Sequence, residues 1–215
     1  MRRNLGKIEE APGLTWLQGH LDYSVAPLLD EPWVLDVDTT IKPLYGEQEG
    51  AELGYNPHKP GRPPAFAGAG LHCYHTYMLS NLRLVLSVDV RPGDQHNVKH
   101  ATGGLWSLLD RWDRGRWPTL LRGDLAWGIE PVMAQAERRN LAYLFRLRTT
   151  KNVSRALQRA MAQSDWSDAG QGWQGNETRL RLEGWSRQRR VILLRVPVER
   201  DHGFRWKMIT QSGAT

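Results

Sequence analysis

Trp33-Val34-Leu35-Asp36-Val37-Asp38-Thr39-Thr40 is the stretch on which the reading of this chain turns. Val and Thr favour extended backbone, and the alternating pattern predicts a strand. Side chains along a strand point to opposite faces in turn, so Asp36 and Asp38 share one face and Leu35, Val37 and Thr39 the other. Two carboxylates placed together repel each other unless a cation lies between them. The pair therefore reads as half of a divalent-metal site or as a solvated strand end. A second short strand, 119–124, ends in Asp124 after Leu120 and Leu121. Ligands in open α/β sheets gather at strand ends, so Asp38 and Asp124 are expected to converge. Hard carboxylate oxygens without thiolate partners suit Mg²⁺, with Mn²⁺ as a substitute. Such ions serve phosphodiester attack by activating the nucleophile and stabilising the leaving oxygen.

Outward from this stretch, residues 1–31 read as a peripheral helical segment, with Leu14, Leu17, Leu21 and Val25 at helical spacing. The segment 46–70 is rich in Gly and Pro, and Pro57, Pro60, Pro63 and Pro64 block regular structure there. Strands are expected at 72–80 and 82–90, joined around Asn81. A helix follows at 97–112, weakened by Gly103 and Gly104. A helix at 131–139 and a strand at 141–147 come after Asp124. The order gives an antiparallel meander followed by βαβ-like units, an α/β fold with a mixed sheet and flanking helices. A helix carrying Ala156, Leu157, Ala160 and Met161 leads to two basic strands, 178–183 and 190–198.

The 215 residues carry a net charge of +6. Residues 1–70 hold 6 Lys and Arg against 10 Asp and Glu, and the rest hold 23 against 13, a balance of +10. A basic half points to a polyanion, and phosphate backbone is the commonest one. Lys59 and Arg62 in the loop, and Arg179, Arg181 and Arg189 on the basic strands, are the candidate phosphate contacts; the alternative for the strands is a charge-protected edge. No apolar run reaches membrane-spanning length, and no apolar signal segment follows the basic start. The single cysteine, Cys73, forms no internal disulfide, which fits a cytoplasmic setting. His72, Cys73 and His75 suggest zinc only weakly, because adjacent strand residues face apart. No P-loop or G-x-S-x-G string is present.

Three strings then become familiar: VLDVDTTIKPLYGEQEGAELGYNPHKPGRP from Val34, YHTYMLSNLRLVLSVDVRPGDQH from Tyr74, and WPTLLRGDLAWG from Trp117. Together they resemble the DDE transposases of cut-and-paste insertion sequences, over roughly residues 14–196. The resemblance implies an RNase H-like core over 32–152 and a β-rich insertion over 153–199. It implies metal-dependent cleavage and strand transfer in DNA transposition, with double-stranded DNA at transposon ends as partner. A homodimer, or a full-length transposase, is a further expected partner. Asp38, followed by Thr39 and Thr40, matches the family's first catalytic aspartate, with Asp36 as fallback, and Asp124 matches the second. The family's third acid is a glutamate on a later helix, near a Tyr and an Arg and followed by a Lys, and no such helix is legible. Residues 200–215 are thus expected to be an irregular tail, the core incomplete and the chain a truncated copy. The competing expectations are a related metal-dependent nuclease and a non-catalytic DNA-binding remnant of a transposase.

Overall fold

The computed structural model describes residues 9–43, 71–95, 98–162, 166–195 and 206–212. Lys59, Arg62 and the 46–70 segment lie outside the described residues. The chain divides into two compact units, Met1–Pro118 and Thr119–Thr215.

The first unit opens with α1 (Glu10–Val25), followed by a 3-10 turn (Ala26–Leu29). The apolar spacing of Leu14, Leu17, Leu21 and Val25 forms the expected helix but not a continuous core face. Val25 is buried, whereas Leu14 and Leu17 are more than half exposed. The helix is held instead by polar contacts: Gln18 Nε2 donates to the Leu86 carbonyl, and Asp22 pairs with Arg111 at 3.2 Å. Three strands form the antiparallel meander: β1 (Val34–Pro43), β2 (Leu71–Leu79) and β3 (Leu84–Pro92). The turn between β2 and β3 is a 3-10 turn at Ser80–Leu82, closed by Arg83 in the left-handed region at φ 52°.

The expected helix 97–112 is shorter, α2 (Thr102–Asp110), preceded by a 3-10 turn at Val98–His100. Its paired glycines are unlike each other. A Cβ on Gly104 would lie 2.7 Å from both Asp89 Oδ2 and the Tyr77 hydroxyl, while one on Gly103 would meet nothing within 4 Å. Gly104 therefore marks where the helix closes onto the buried face of the meander, and Gly103 does not.

The second unit starts with β4 (Leu120–Gly123), α3 (Glu130–Arg138) and β5 (Tyr143–Arg146), with β4 and β5 parallel. Pro131 sits in the first turn of α3, where a missing N–H costs nothing. Asn140, at φ 49°, turns the chain out of α3, with Leu141 N bonded to the Ala136 carbonyl at 2.9 Å. Then come α4 (Lys151–Met161), β6 (Ser167–Gly170), β7 (Trp173–Leu180), β8 (Arg189–Arg195) and β9 (Trp206–Ser212). The sheet of this unit runs β4-β5-β9-β8-β7-β6. The tail expected to be irregular over 200–215 thus contains a strand. β9 pairs antiparallel with β5 on one side and β8 on the other. Trp206, Met208 and Ile209 are apolar, but with Met208 and Ile209 adjacent and Thr210-Gln211-Ser212 after them the strand carries no sustained apolar period, and its partners fix it.

The helices and the mixed sheet are compatible with an RNase H-like domain. Among the described residues no helix is long and apolar enough to cross a membrane.

Candidate functional site

In the first unit, β1 displays its acids as its alternation requires. Leu35 and Val37 are buried, opposite Leu79 and Tyr77 on β2. On the other face, Asp36 lies half-buried opposite Met78, and Asp38 is exposed opposite Thr76. A slip of one residue would bury both acids and expose the apolar pair, so the core fixes which way the carboxylates point. Thr40 Oγ1 donates to Asp38 Oδ2 at 3.3 Å.

Behind the acids, the buried face carries His75, which lies 3.0 Å from Thr39 Oγ1 through Nδ1 and 3.2 Å from the Gln95 carbonyl through Nε2. A carbonyl only accepts, so Nε2 carries the proton and Nδ1 accepts from Thr39. Burial holds this imidazole below its ordinary pKa, against the raising effect of the Gln95 carbonyl. Burial likewise pushes the Cys73 thiol up to about 11. Both His75 nitrogens are already in hydrogen bonds and the Cys73 thiol stays protonated, which disfavours zinc, and among the described residues no three His, Cys, Asp or Glu side chains come together to hold a metal.

In the second unit, Asp124 stands just past the C-terminal end of β4, in the loop of a β-α-β unit. That is the end of a parallel pair where ligands gather. Its Oδ1 accepts the Ala126 N–H at 2.9 Å, which leaves Oδ2 to the exterior. The loop is held from below. Trp127 is fully buried, Ile129 N bonds to the Trp127 carbonyl at 2.8 Å, and a Cβ on Gly128 would lie 3.1 Å from the Arg146 carbonyl.

The arginines of the basic strands do not form the open cationic ribbon expected of them. Arg189 is the clearest correction. Its side chain is 2% exposed and bridges Glu130 and Glu137 of α3 with bonds of 2.5–3.1 Å. Glu130 also accepts both the N–H and the hydroxyl of Ser186, and Glu137 accepts the Tyr143 hydroxyl and pairs with Arg187. With four of its five N–H donors committed to these carboxylates and its side chain buried, this guanidinium is not open to phosphate. Burial, the largest single effect, would raise the two carboxyls, but the bonds from Arg189 and Ser186 at Glu130, and from Arg189, Tyr143 and Arg187 at Glu137, together hold both below the usual carboxylate range. Burial also disfavours the charged guanidinium, and the two carboxylates overcome that and raise its pKa. Arg179 and Arg181 are exposed, but Arg179 faces Arg190, which is neutralised by Glu177 at 2.7 Å, and Arg181 Nε reaches the Trp185 carbonyl at 3.4 Å.

The cluster around Arg189 was missed in the sequence, although Glu130 and Glu137 stand seven residues apart and so share a helix face. Nothing in the string says which arginine they meet.

What these units offer chemically is hard oxygen ligands, Asp36 and Asp38 on the outer face of β1 at mid-strand rather than at the strand end expected, and Asp124 just past the end of β4. A family model described as Transposase DDE domain group 1 matches residues 17–210, a span that includes Asp36, Asp38 and Asp124. No curated protein matches the chain. DDE domains generally use divalent metal ions and act on DNA. With the match running over nearly its whole length, the chain belongs to the transposase DDE domain group 1 family.

Proposed function

We propose that this chain supplies two of the metal-holding acids for DNA cleavage and strand transfer during transposition, on double-stranded DNA at transposon ends, the third acid of the family's set not being legible in it. The observation that carries the reading is the placement of Asp38 and Asp124. Asp38 is exposed on the outer face of β1, at mid-strand, and Asp124 is exposed just past the end of β4, each in a unit whose buried face fixes its direction. Their chemistry fits the metal: Asp38 and Asp124 would hold Mg²⁺, or Mn²⁺ in its place, with Asp36 as the alternative on β1. When bound, the ion supplies an activated oxygen nucleophile and neutralises the leaving oxygen.

The chain's own contribution is placement. The Thr39–His75–Gln95 chain of hydrogen bonds ties β1 to the turn after β3, so Asp38 leaves the strand in a fixed direction. The Asp124–Ala126 bond and the buried Trp127 hold the second carboxylate on its loop. Displacement of a catalytic group by about 1 Å can cost on the order of a hundredfold in rate.

The test is cleavage and strand transfer on end-containing duplex DNA with Mg²⁺ and then Mn²⁺. Asp38→Asn and Asp124→Asn are expected to abolish both reactions while leaving DNA binding intact. Full activity in either variant overturns the assignment of that acid.

A further inference from the structure

Helix α4 reads KNVSRALQRAM from Lys151. Lys151, Arg155 and Arg159 recur every four residues, the spacing that stacks side chains on one helix face. All three are exposed, while Val153 and Ala160 are buried on the opposite side, where the helix meets β7. The helix contains no Asp or Glu. Among the described residues none of these three cations makes a side-chain hydrogen bond or an ion pair. Like charges four apart on a helix repel each other, and here no acid on the helix relieves them. A fold that neutralises Arg189, Arg190 and Arg187 with glutamates leaves this row bare.

The row runs into a cleft of about 480 Å³ at the head of the helix. Lys151 belongs to both. Arg148, Thr150, Asn152, Glu183 and Trp185 also line the cleft. Arg148 is exposed and has no acidic partner among the described residues. Trp185 is held in place because the Arg189 guanidinium sits 5.2 Å over its ring.

Resting on the transposase reading above, we propose that Arg148, Lys151, Arg155 and Arg159 form the surface along which the phosphate backbone of duplex DNA runs, with α4 rather than the β7–β8 strands as the main contact. Lys151 to Arg159 spans about 12 Å of helix axis at about 1.5 Å per residue. One DNA strand carries a phosphate about every 3.4 Å of duplex axis, so a row of this length laid along the axis takes in about four phosphates of that strand, roughly one for each of the four cations. Exposed and unpartnered arginine and lysine side chains give a contact that is insensitive to sequence and sensitive to salt. Glu183 is the misfit in the lining. Its carboxylate repels an anion in the cleft, against the attraction of Arg148 and Lys151.

The experiment is equilibrium binding of a random-sequence DNA duplex to the full chain across a salt series. In the variant with Lys151, Arg155 and Arg159 all changed to Gln, affinity is expected to fall about tenfold or more, and the log–log salt slope to flatten by about 0.9 per phosphate lost. A matched variant, Arg179→Gln with Arg181→Gln, is expected to change little, and Glu183→Gln to tighten binding. A cooperative thermal melt of each variant excludes unfolding as the cause.

A wild-type slope and affinity retained in the triple variant, or lost only in the Arg179 and Arg181 variant, overturns the assignment to α4 while leaving the transposase reading standing. A wild-type chain with no affinity for DNA overturns both. If the triple variant loses binding but Asp38→Asn still cleaves fully, the α4 surface stands and the catalytic assignment falls.

Discussion

The β7–β8 strands and helix α4 are both rich in arginine, but the fold treats them in opposite ways. On the strand side most of the charges are consumed internally, Arg179 and Arg181 being the exposed exceptions. Arg189 is buried between Glu130 and Glu137, Arg187 joins Glu137, Arg190 pairs with Glu177, and Arg195 bonds Gln174 and stacks on Trp166 at 4.0 Å. On α4 the charges are left facing outward with no acid on the same helix. Local composition does not separate the two cases. Burial does, because a guanidinium removed from water must find carboxylates, whereas an exposed one is satisfied by solvent until a polyanion replaces it.

The sharpest way to break this contrast is Arg189→Met. Removing one partner of a buried ionic cluster leaves the others uncompensated, and the expected loss is about 3–5 kcal/mol of stability, read as a lowered urea midpoint. A loss below about 1 kcal/mol would show that the cluster is no more than a surface pair.

Acid titration gives the next largest effect. Glu130 and Glu137 have folded pKa values held below the usual range. Their contribution is complete above the unfolded carboxylate value of about 4.3 and is lost as pH falls through the lowered folded values. His75 adds a second, earlier slope of the same sign. Its folded pKa is lowered, so stability declines once pH drops below the ordinary imidazole value of about 6.5. Urea midpoints measured down the pH scale should fall in both windows. In Arg189→Met the low-pH slope should shrink and the His75 slope should persist.

The smallest effect sharpens the other side. Arg155 stands four residues from both Lys151 and Arg159, so Arg155→Gln relieves two like-charge contacts. It is expected to raise stability by a few tenths of a kcal/mol while weakening DNA binding. A substitution that stabilises the fold and harms its task is the signature of a charge retained for a partner. A measurable loss of stability instead would mean that Arg155 has a structural role.

Much of the fold could be read from the string, and the reasons are local. The strand around Asp36 and Asp38 follows from alternation and β-branched residues, and the α3 start follows from Pro131. The meander, the βαβ unit and α4 all lie close to their expected positions. β6 and β9 escaped notice because they carry no apolar period. β6 is exposed along its length in a hairpin with β7, and β9 gains its place from β5 and β8. The apolar spacing of α1 misled in the opposite direction, since spacing says which residues share a face and not what covers them.

The site divides along the same line. By itself the sequence determined which acids could serve: Asp36 and Asp38 on one strand face, and Asp124 at the end of another strand, because side-chain period and strand ends are written locally. It also determined that Lys151, Arg155 and Arg159 share one helix face. Only the tertiary structure decided which charges remain available. Arg189 and Arg179 stand on the same pair of strands, yet one meets two glutamates from a helix 52 to 59 residues earlier in the chain and the other faces outward. The desolvation that forces a buried guanidinium into ion pairs depends on what packs over it, and that is set by contacts between distant segments, not by the residues beside it in the sequence.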